Sequence, residues 1–328
     1  MTYVASLPRA CVVALTAVAT LLPQAARAQS QAYPSQDVNF ICGFAAGSGA
    51  DIIVRYFADK MRPIMNRTII VQNKPGAIGN IATEFVARSK PDGYTILVTG
   101  GNAVAASMHL FKKPAVDVAK AFQIAATINN ATMMIAVRAD GPIKTIAELT
   151  KAMKEKGDKA SYAFANPTSR VLGAMYKEKA GLQAVEVGYR TGADYLNELY
   201  SGKIDFAVVD NVQGMAQANA GRMLLLAVGA DTRMQAAPSI PTMTELGYPM
   251  NIRSWWAALA PAGTPRPIID QLNAWFSQVV ATEETKKFLN GIASDPWVSK
   301  PEEGQAYFLQ QIKDWGEYVR IAKIEPQG

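Results

Sequence analysis

Val38-Asn39-Phe40-Ile41-Cys42-Gly43-Phe44-Ala45-Ala46-Gly47-Ser48-Gly49-Ala50-Asp51 passes from an apolar run, through small residues, into a segment with apolar positions three and four apart. Residues 38–44 read as a buried strand, 51–65 as an amphipathic helix, and the small residues between them as a sharp strand-to-helix turn. Outward from there, 68–72 is a second strand, 79–89 a helix after Asn73-Lys74-Pro75-Gly76, Pro91-Asp92-Gly93 a turn, and 94–99 a third strand. That order predicts a parallel doubly wound sheet. The alternation restarts with strand 132–138, helix 146–156, strand 161–165, helices 169–180 and 193–201, strand 205–209, and strand 224–229 after the Gly221 break. Pro238, Pro241 and Pro249 punctuate a loop before 254–260, a strand returning to the first lobe, and 267–282 and 304–324 are helical. No internal repeat or low-complexity segment interrupts the pattern. A chain of this length lies near the size at which a single core divides. The expectation is two α/β lobes, with 29–131 and 254–328 in lobe 1 and 132–253 in lobe 2.

Residues 10–23 are almost wholly apolar, begin after Arg9 and end at Ala26-Arg27-Ala28. About 14 apolar residues are too few for a spanning helix, which needs ~20, and the flanks are those of a secretory signal peptide covering 1–28. Cys11 leaves with that segment, so Cys42 is the one cysteine expected in the mature chain, and stability must come from core burial without an intramolecular disulfide. Removal of Arg9 and Arg27 lowers the net charge from +6 to +4. No run of five like charges is present, which argues against nucleic acid or an anionic membrane as partner and for attraction of small anions.

In open α/β sheets ligands bind at the carboxyl ends of strands, so the loops there carry the chemistry. In the first, Phe44, Ala45, Ala46, Gly47 and Ser48 offer free backbone N–H groups at a helix N-terminus, a place suited to a carboxylate or phosphate. The same residues also suit a plain turn with Asp51 as helix cap. The spacing matches neither a Walker loop nor Gly-x-Gly-x-x-Gly. A second loop, Ala165-Asn166-Pro167-Thr168-Ser169-Arg170, supplies Asn166, the hydroxyls of Thr168 and Ser169, and Arg170 in the first turn of a helix, where the dipole disfavours a cation. A bound anion would relieve that conflict, and so would a local acid. Asp210 and Asn211 follow another strand, Asp210 reading either as a ligand acceptor or as a helix cap. Gly100-Gly101-Asn102 and Tyr189-Arg190-Thr191-Gly192 complete the set. Four of the five loops could face one cleft.

Catalytic constellations are scarce. His109 is the single histidine and sits in a context that suits packing, Cys42 lies in an apolar strand, and there is no Gly-x-Ser-x-Gly elbow and no metal-ligand spacing. An enzyme on this chain would have only Asp51, Asp210 and His109 as acid or base, so a binder without cofactor or metal is the expected class. Trp255-Trp256 reads as core, cleft wall, or one of each by strand alternation.

Several motifs then resemble one family. Tyr33-Pro34, the run 44–51, Val71-Gln72-Asn73-Lys74-Pro75-Gly76-Ala77-Ile78-Gly79-Asn80, Lys90-Pro91-Asp92-Gly93-Tyr94-Thr95, Tyr200-Ser201-Gly202-Lys203-Ile204-Asp205, Asp210-Asn211, Pro238-Ser239-Ile240-Pro241-Thr242, Gly247-Tyr248 and Leu259-Ala260-Pro261-Ala262-Gly263-Thr264-Pro265 occur in the order of the Bug family, the substrate-binding proteins of tripartite tricarboxylate transporters. The resemblance implies an α/β, two-lobed periplasmic binding protein fold with a ligand cleft between the lobes, acting as a monomer in the periplasm. It implies a small carboxylate held by Phe44, Ala45, Ala46, Gly47, Ser48 and Asp51, by Gly101 and Asn102, by Asn166, Thr168, Ser169 and Arg170, and by Tyr189, Asp210 and Asn211, then delivered to membrane permease subunits. The chain departs from the family pattern at Ala45-Ala46, where paired prolines are usual, and at 166–170, commonly Gly-rich with a following His. Arg170 there suits a second, distal carboxylate, so a dicarboxylate, aliphatic or aromatic, is expected. A secreted enzyme acting on a carboxylated substrate and a ligand sensor docking on a receptor are the alternatives.

Overall fold

The computed structural model of the protein describes residues 1–3 and 33–328. Apart from its first three residues, the predicted signal segment lies outside the described residues, Cys11 included. From Pro34 the chain runs through β1 (Val38–Cys42), α1 (Gly49–Met65), β2 (Ile69–Asn73), α2 (Asn80–Ala87), β3 (Thr95–Gly100), α3 (Gly101–Leu110), α4 (Val118–Ala121) and β4 (Phe122–Thr132). It continues through β5 (Met134–Arg138), α5 (Ile146–Lys156), β6 (Ser161–Phe164), α6 (Pro167–Ala180), β7 (Val185–Gly188), α7 (Leu196–Tyr200), β8 (Phe206–Val209), α8 (Asn211–Asn219) and β9 (Met223–Val228). β10 (Arg253–Pro261), α9 (Arg266–Ala281), α10 (Glu283–Gly291), β11 (Asp295–Pro296) and α11 (Pro301–Ile321) complete it. Among the described residues no helix is long and apolar enough to cross a membrane.

Two sheets result, one ordered β11-β4-β10-β3-β1-β2 and the other β7-β6-β8-β5-β9. They are not the purely parallel sheets that the alternation predicts. β1 pairs in parallel with β2 and β3, and β6 with β7 and β8, but β10 runs against β3 and β4, and β5 against β8 and β9. The reason lies in the two crossings between sheets. β4 leaves the first sheet at its carboxyl edge and β5 enters the second from that side, so β5 must run away from the edge; β10, entering the first sheet after β9, is forced the same way. Both sheets therefore present their carboxyl edges to the crossing region.

The helices begin where the sequence supplies caps. Ser48 takes extended backbone and its hydroxyl accepts from the Asp51 N–H, so the cap of α1 is Ser48 rather than Asp51. Asn166 and Ser169 form a reciprocal capping box on α6 with Pro167 in its first turn, and Asp210 caps α8 by accepting from Gln213 N–H at 2.9 Å. α11 spans both lobes: Trp315 and Val319 share one apolar core with Leu172 and Tyr176 of α6. Burying each such large side chain is worth about 1.5–3 kcal/mol. Cys42 is fully buried and has no disulfide partner among the described residues, and burial pushes its thiol up to about 11.

Candidate functional site

β1, β3, β6 and β8 each hand the chain to a helix, and the first turns of those four helices line one cavity of about 80 Å³. Ser48, Gly49 and Ala50 come from α1, Asn102 and Ala103 from α3, Asn166, Pro167 and Thr168 from the start of α6, and Asp210, Asn211 and Val212 from α8. α1 and α3 belong to the first sheet's lobe, α6 and α8 to the second's. The opening N–H groups of a helix have no partner within it and sit at the positive end of its dipole, so four such ends favour negative charge in this cavity. All five candidate loops reach this cavity, the last through Arg190, Thr191 and Gly192.

The lobes touch here. A Cβ placed on Gly49 would lie 2.5 Å from Asp210 Oδ1 and 2.9 Å from Val212 Cβ. Around this contact, Asn211 Nδ2 donates to Ile292 O at 2.6 Å and Ser294 Oγ at 2.9 Å, and Asp295 accepts from Gln235 and Ala236 N–H groups at 3.2 and 2.9 Å. Each of these bonds joins a segment of the second lobe to one of the first.

Of the candidate residues, Phe44, Ala45, Ser48, Asn102, Asn166, Thr168, Asp210 and Asn211 line the cavity. Arg170 and Tyr189 line a second cavity of about 280 Å³ that shares Phe44, Ala45, Ala165, Asn166, Pro167 and Arg190 with the first. Five candidates lie elsewhere. Ala46 and Gly47 are exposed, and Gly47 serves its turn through φ 79, since a Cβ on it would meet nothing within 4 Å. Gly101 is buried against the Trp255 ring. The Ser169 hydroxyl is committed to the α6 cap, accepting from Ala165 and Asn166 N–H groups. Asp51 is 4 % exposed and accepts from Gly47 N–H, Arg55 Nε and Asn73 Nδ2 at 2.9, 2.9 and 2.8 Å. Burial alone would raise its carboxyl, but those three hydrogen bonds outweigh it and hold the group below the usual carboxylate range.

Asp210 is the acid that faces the cavity. Burial pushes its carboxyl upward against the N–H groups that open α8. Asn102 donates from Nδ2 to Arg253 O at 2.8 Å, which fixes its amide and leaves Oδ1 buried without a donor. His109 lies away from the cleft, its Nε2 2.6 Å from Ile312 O of α11. In β10 the alternation divides the tryptophans: Ser254 and Trp256 line the cavity while Trp255 is fully buried. Gly49 lay in the first candidate loop without being singled out and Ser254 carried no signal in sequence, because what matters at each is what faces it from elsewhere in the chain. Among the described residues no group of three His, Cys, Asp or Glu could hold a metal ion.

Comparison with known proteins gives a consistent picture. The sequence profile described as tripartite tricarboxylate transporter family receptor matches residues 53–324. A UPF0065 protein of Bordetella bronchiseptica is 28% identical over 302 residues, 91% of this chain and 89% of that protein. The UPF0065 protein in the TAR-I ttuE-ttuC' intergenic region of Agrobacterium vitis is 30% identical over 267 residues, 80% of this chain and 76% of that one. Among solved structures, the periplasmic binding protein BugD superposes with a TM-score of 0.83 at 31% identity, covering 90% of this chain and all of its own.

Proposed function

This chain belongs to the tripartite tricarboxylate transporter receptor family, and from that premise we propose that it is a periplasmic receptor, monomeric, that captures a small carboxylate between its lobes and delivers it unchanged to the membrane permease. The convergence of four helix N-termini, two from each lobe, on one cavity carries this reading. Each is worth about 0.3–1 kcal/mol to an anion, and up to ~2 where partly buried, so the four together supply several kilocalories to a carboxylate before ordering costs. The placement in the periplasm is supported by BugD, a periplasmic binding protein of the same fold. The ligand is taken to be a dicarboxylate, with Arg170 toward its far end.

A hydrolytic or acid–base role finds little support in the geometry. Asp51 has its carboxylate occupied by three donors and His109 is held against α11. Only Asp210 faces the cavity, and it carries a helix cap. Thermal-shift screening against aliphatic and aromatic carboxylates tests the reading, since a ligand at ~100 times its Kd adds about 2.7 kcal/mol to stability. The best ligand, recovered after long incubation, is expected to be intact. Conversion beyond the amount of protein present would overturn the binder reading, and uptake by the reconstituted permease without this protein would overturn the delivery role.

A further inference from the structure

We propose that the larger cavity beside the first is a second subsite, which seats a distal acidic group of an elongated ligand and reads it with Arg170 and Arg190. The proposal rests on carboxylate capture in the first cavity and extends it to a ligand class: dianions whose acid groups are separated by a long apolar or flat aromatic spacer. Size comes first. The first cavity, at about 80 Å³, has room for roughly six water-sized groups at 10–15 Å³ each. A carboxylate fills about half of that and two fill it, so the spacer of any diacid must run past its wall. The adjoining cavity, at about 280 Å³, has more than three times the room, and Phe44, Ala45, Ala165, Asn166, Pro167 and Arg190 wall both. A longer molecule can lie across the two.

Charge decides what lies at the far end. Arg170 and Arg190 line the second cavity and no Asp or Glu does. Arg190 is exposed and makes no ion pair or side-chain hydrogen bond with any described residue. Arg170 Nε is buried without a hydrogen-bond partner among the described residues; Glu186 stands 3.7 Å away and is shared with Lys177 at the same distance. One half-buried carboxylate thus faces two cations, and Arg190 faces none. A guanidinium removed from water needs an acceptor, and a carboxylate matches its fork of donors. The walls favour a flat spacer: Phe44, Phe164 and Tyr189 line this cavity, and the Tyr189 hydroxyl is bound to Glu198 at 2.5 Å, which leaves its ring as the contact surface.

Calorimetric titration of the purified protein with linear diacids of four to ten carbons, benzene-1,4-dicarboxylate, and the monoamide of each gives the test. Diacids of six or more carbons or the aromatic diacid are expected to bind at least tenfold tighter than their monoamides, about 1.4 kcal/mol. Arg170→Gln should remove most of that ratio while changing monoamide affinity less than about twofold, and Arg190→Gln, whose side chain walls both cavities, should weaken the diacids more than their monoamides. Glu186→Gln, which frees Arg170, should instead raise affinity for the long diacids, and it serves where Arg170→Gln melts early. Equal binding of diacid and monoamide, or variants that weaken both alike, would overturn the second subsite and leave carboxylate capture standing. Absence of binding by every acid in the panel would overturn both.

Discussion

Replacing Gly49 by alanine adds one methyl group where the two lobes meet. The new Cβ would stand 2.5 Å from Asp210 Oδ1 and 2.9 Å from Val212 Cβ, so either side chain or lobe must give by close to an ångström to restore van der Waals distance. Asp210 cannot swing aside without surrendering its 2.9 Å cap on Gln213 N–H, a loss of about 1 kcal/mol. Val212 is held by the backbone of α8. Overpacking of this kind costs about 1–3 kcal/mol, which corresponds to roughly 5- to 150-fold in Kd. The lobes can avoid the cost by staying apart, so the penalty falls on the closed, liganded form. In the ligand-free protein the change is expected to be neutral or to stabilise by about 0.4–1 kcal/mol, since Gly49 lies outside the left-handed region and alanine restricts the unfolded chain. Calorimetry with the best carboxylate, together with thermal unfolding of both ligand-free proteins, separates the two effects, and Trp256 in the cavity wall supplies a fluorescence signal for closure. A Gly49→Ala protein that binds within twofold of wild type would refute the idea that this contact is made on closure.

Asp51→Asn should cost about 1–3 kcal/mol at neutral pH, because two of the three donors are left facing a weaker acceptor. The Asp51 carboxyl is held below its ordinary value, so its stabilisation is full above the ordinary range and lost as pH falls through the folded value; urea unfolding at pH 7 and pH 3 should show the gap closing in acid. Asp210 has the opposite sign: its carboxyl is raised by burial, so the cost of ionising it appears as pH rises. Asp210→Asn, which keeps a good cap, should therefore be the more stable protein at pH 7 and equal to wild type in acid. Gly47→Ala should cost about 1–2 kcal/mol of stability through its φ of 79 while leaving carboxylate affinity within about twofold, because no atom lies within 4 Å of the added Cβ. A large affinity loss there would place the ligand against Gly47 after all.

Local periodicity made most of this fold readable, and the exceptions have physical causes. α5 begins and ends where its apolar spacing places it, with a Thr145–Glu148 capping box at its start in the structure, and β1, α1 and β2 lie within two residues of their expected bounds. α3 escaped notice because Gly101, Ala105, Ala106 and Ser107 are small and buried on several sides, so no polar face gives it a period. β4 escaped because Thr127, Asn129 and Thr132 break its apolar run although all are buried. Strand direction is not a local property at all; β5 and β10 run against their neighbours because of where the chain comes from. In the site, Asn166, Thr168 and Ser169 read as ligand-binding residues where a helix starts, and only geometry shows that Ser169 is spent on the cap while Thr168 reaches the cavity. Arg190 was visible as part of a loop; that it has no acid partner is a tertiary fact.

The same topology explains why an acid belongs in an anion site. Because β5 and β10 enter from the crossing region, both sheets turn their carboxyl edges toward it, and helix N-termini from both lobes gather on one cavity. Four such ends favour an anion by several kilocalories in sum. Asp210 stands among them, at the N-terminus of α8. Ionised, Asp210 would repel a bound carboxylate, by about 3 kcal/mol for charges about 6 Å apart at an effective dielectric of about 20. That offsets a large part of the attraction, at the point where Asp210 faces Gly49 across the lobes. A receptor that hands its ligand on must not hold it too tightly. On the proposed delivery role, closing would strengthen the dipolar attraction and the repulsion together, so separating the lobes would remove the first without having to overcome the whole of it.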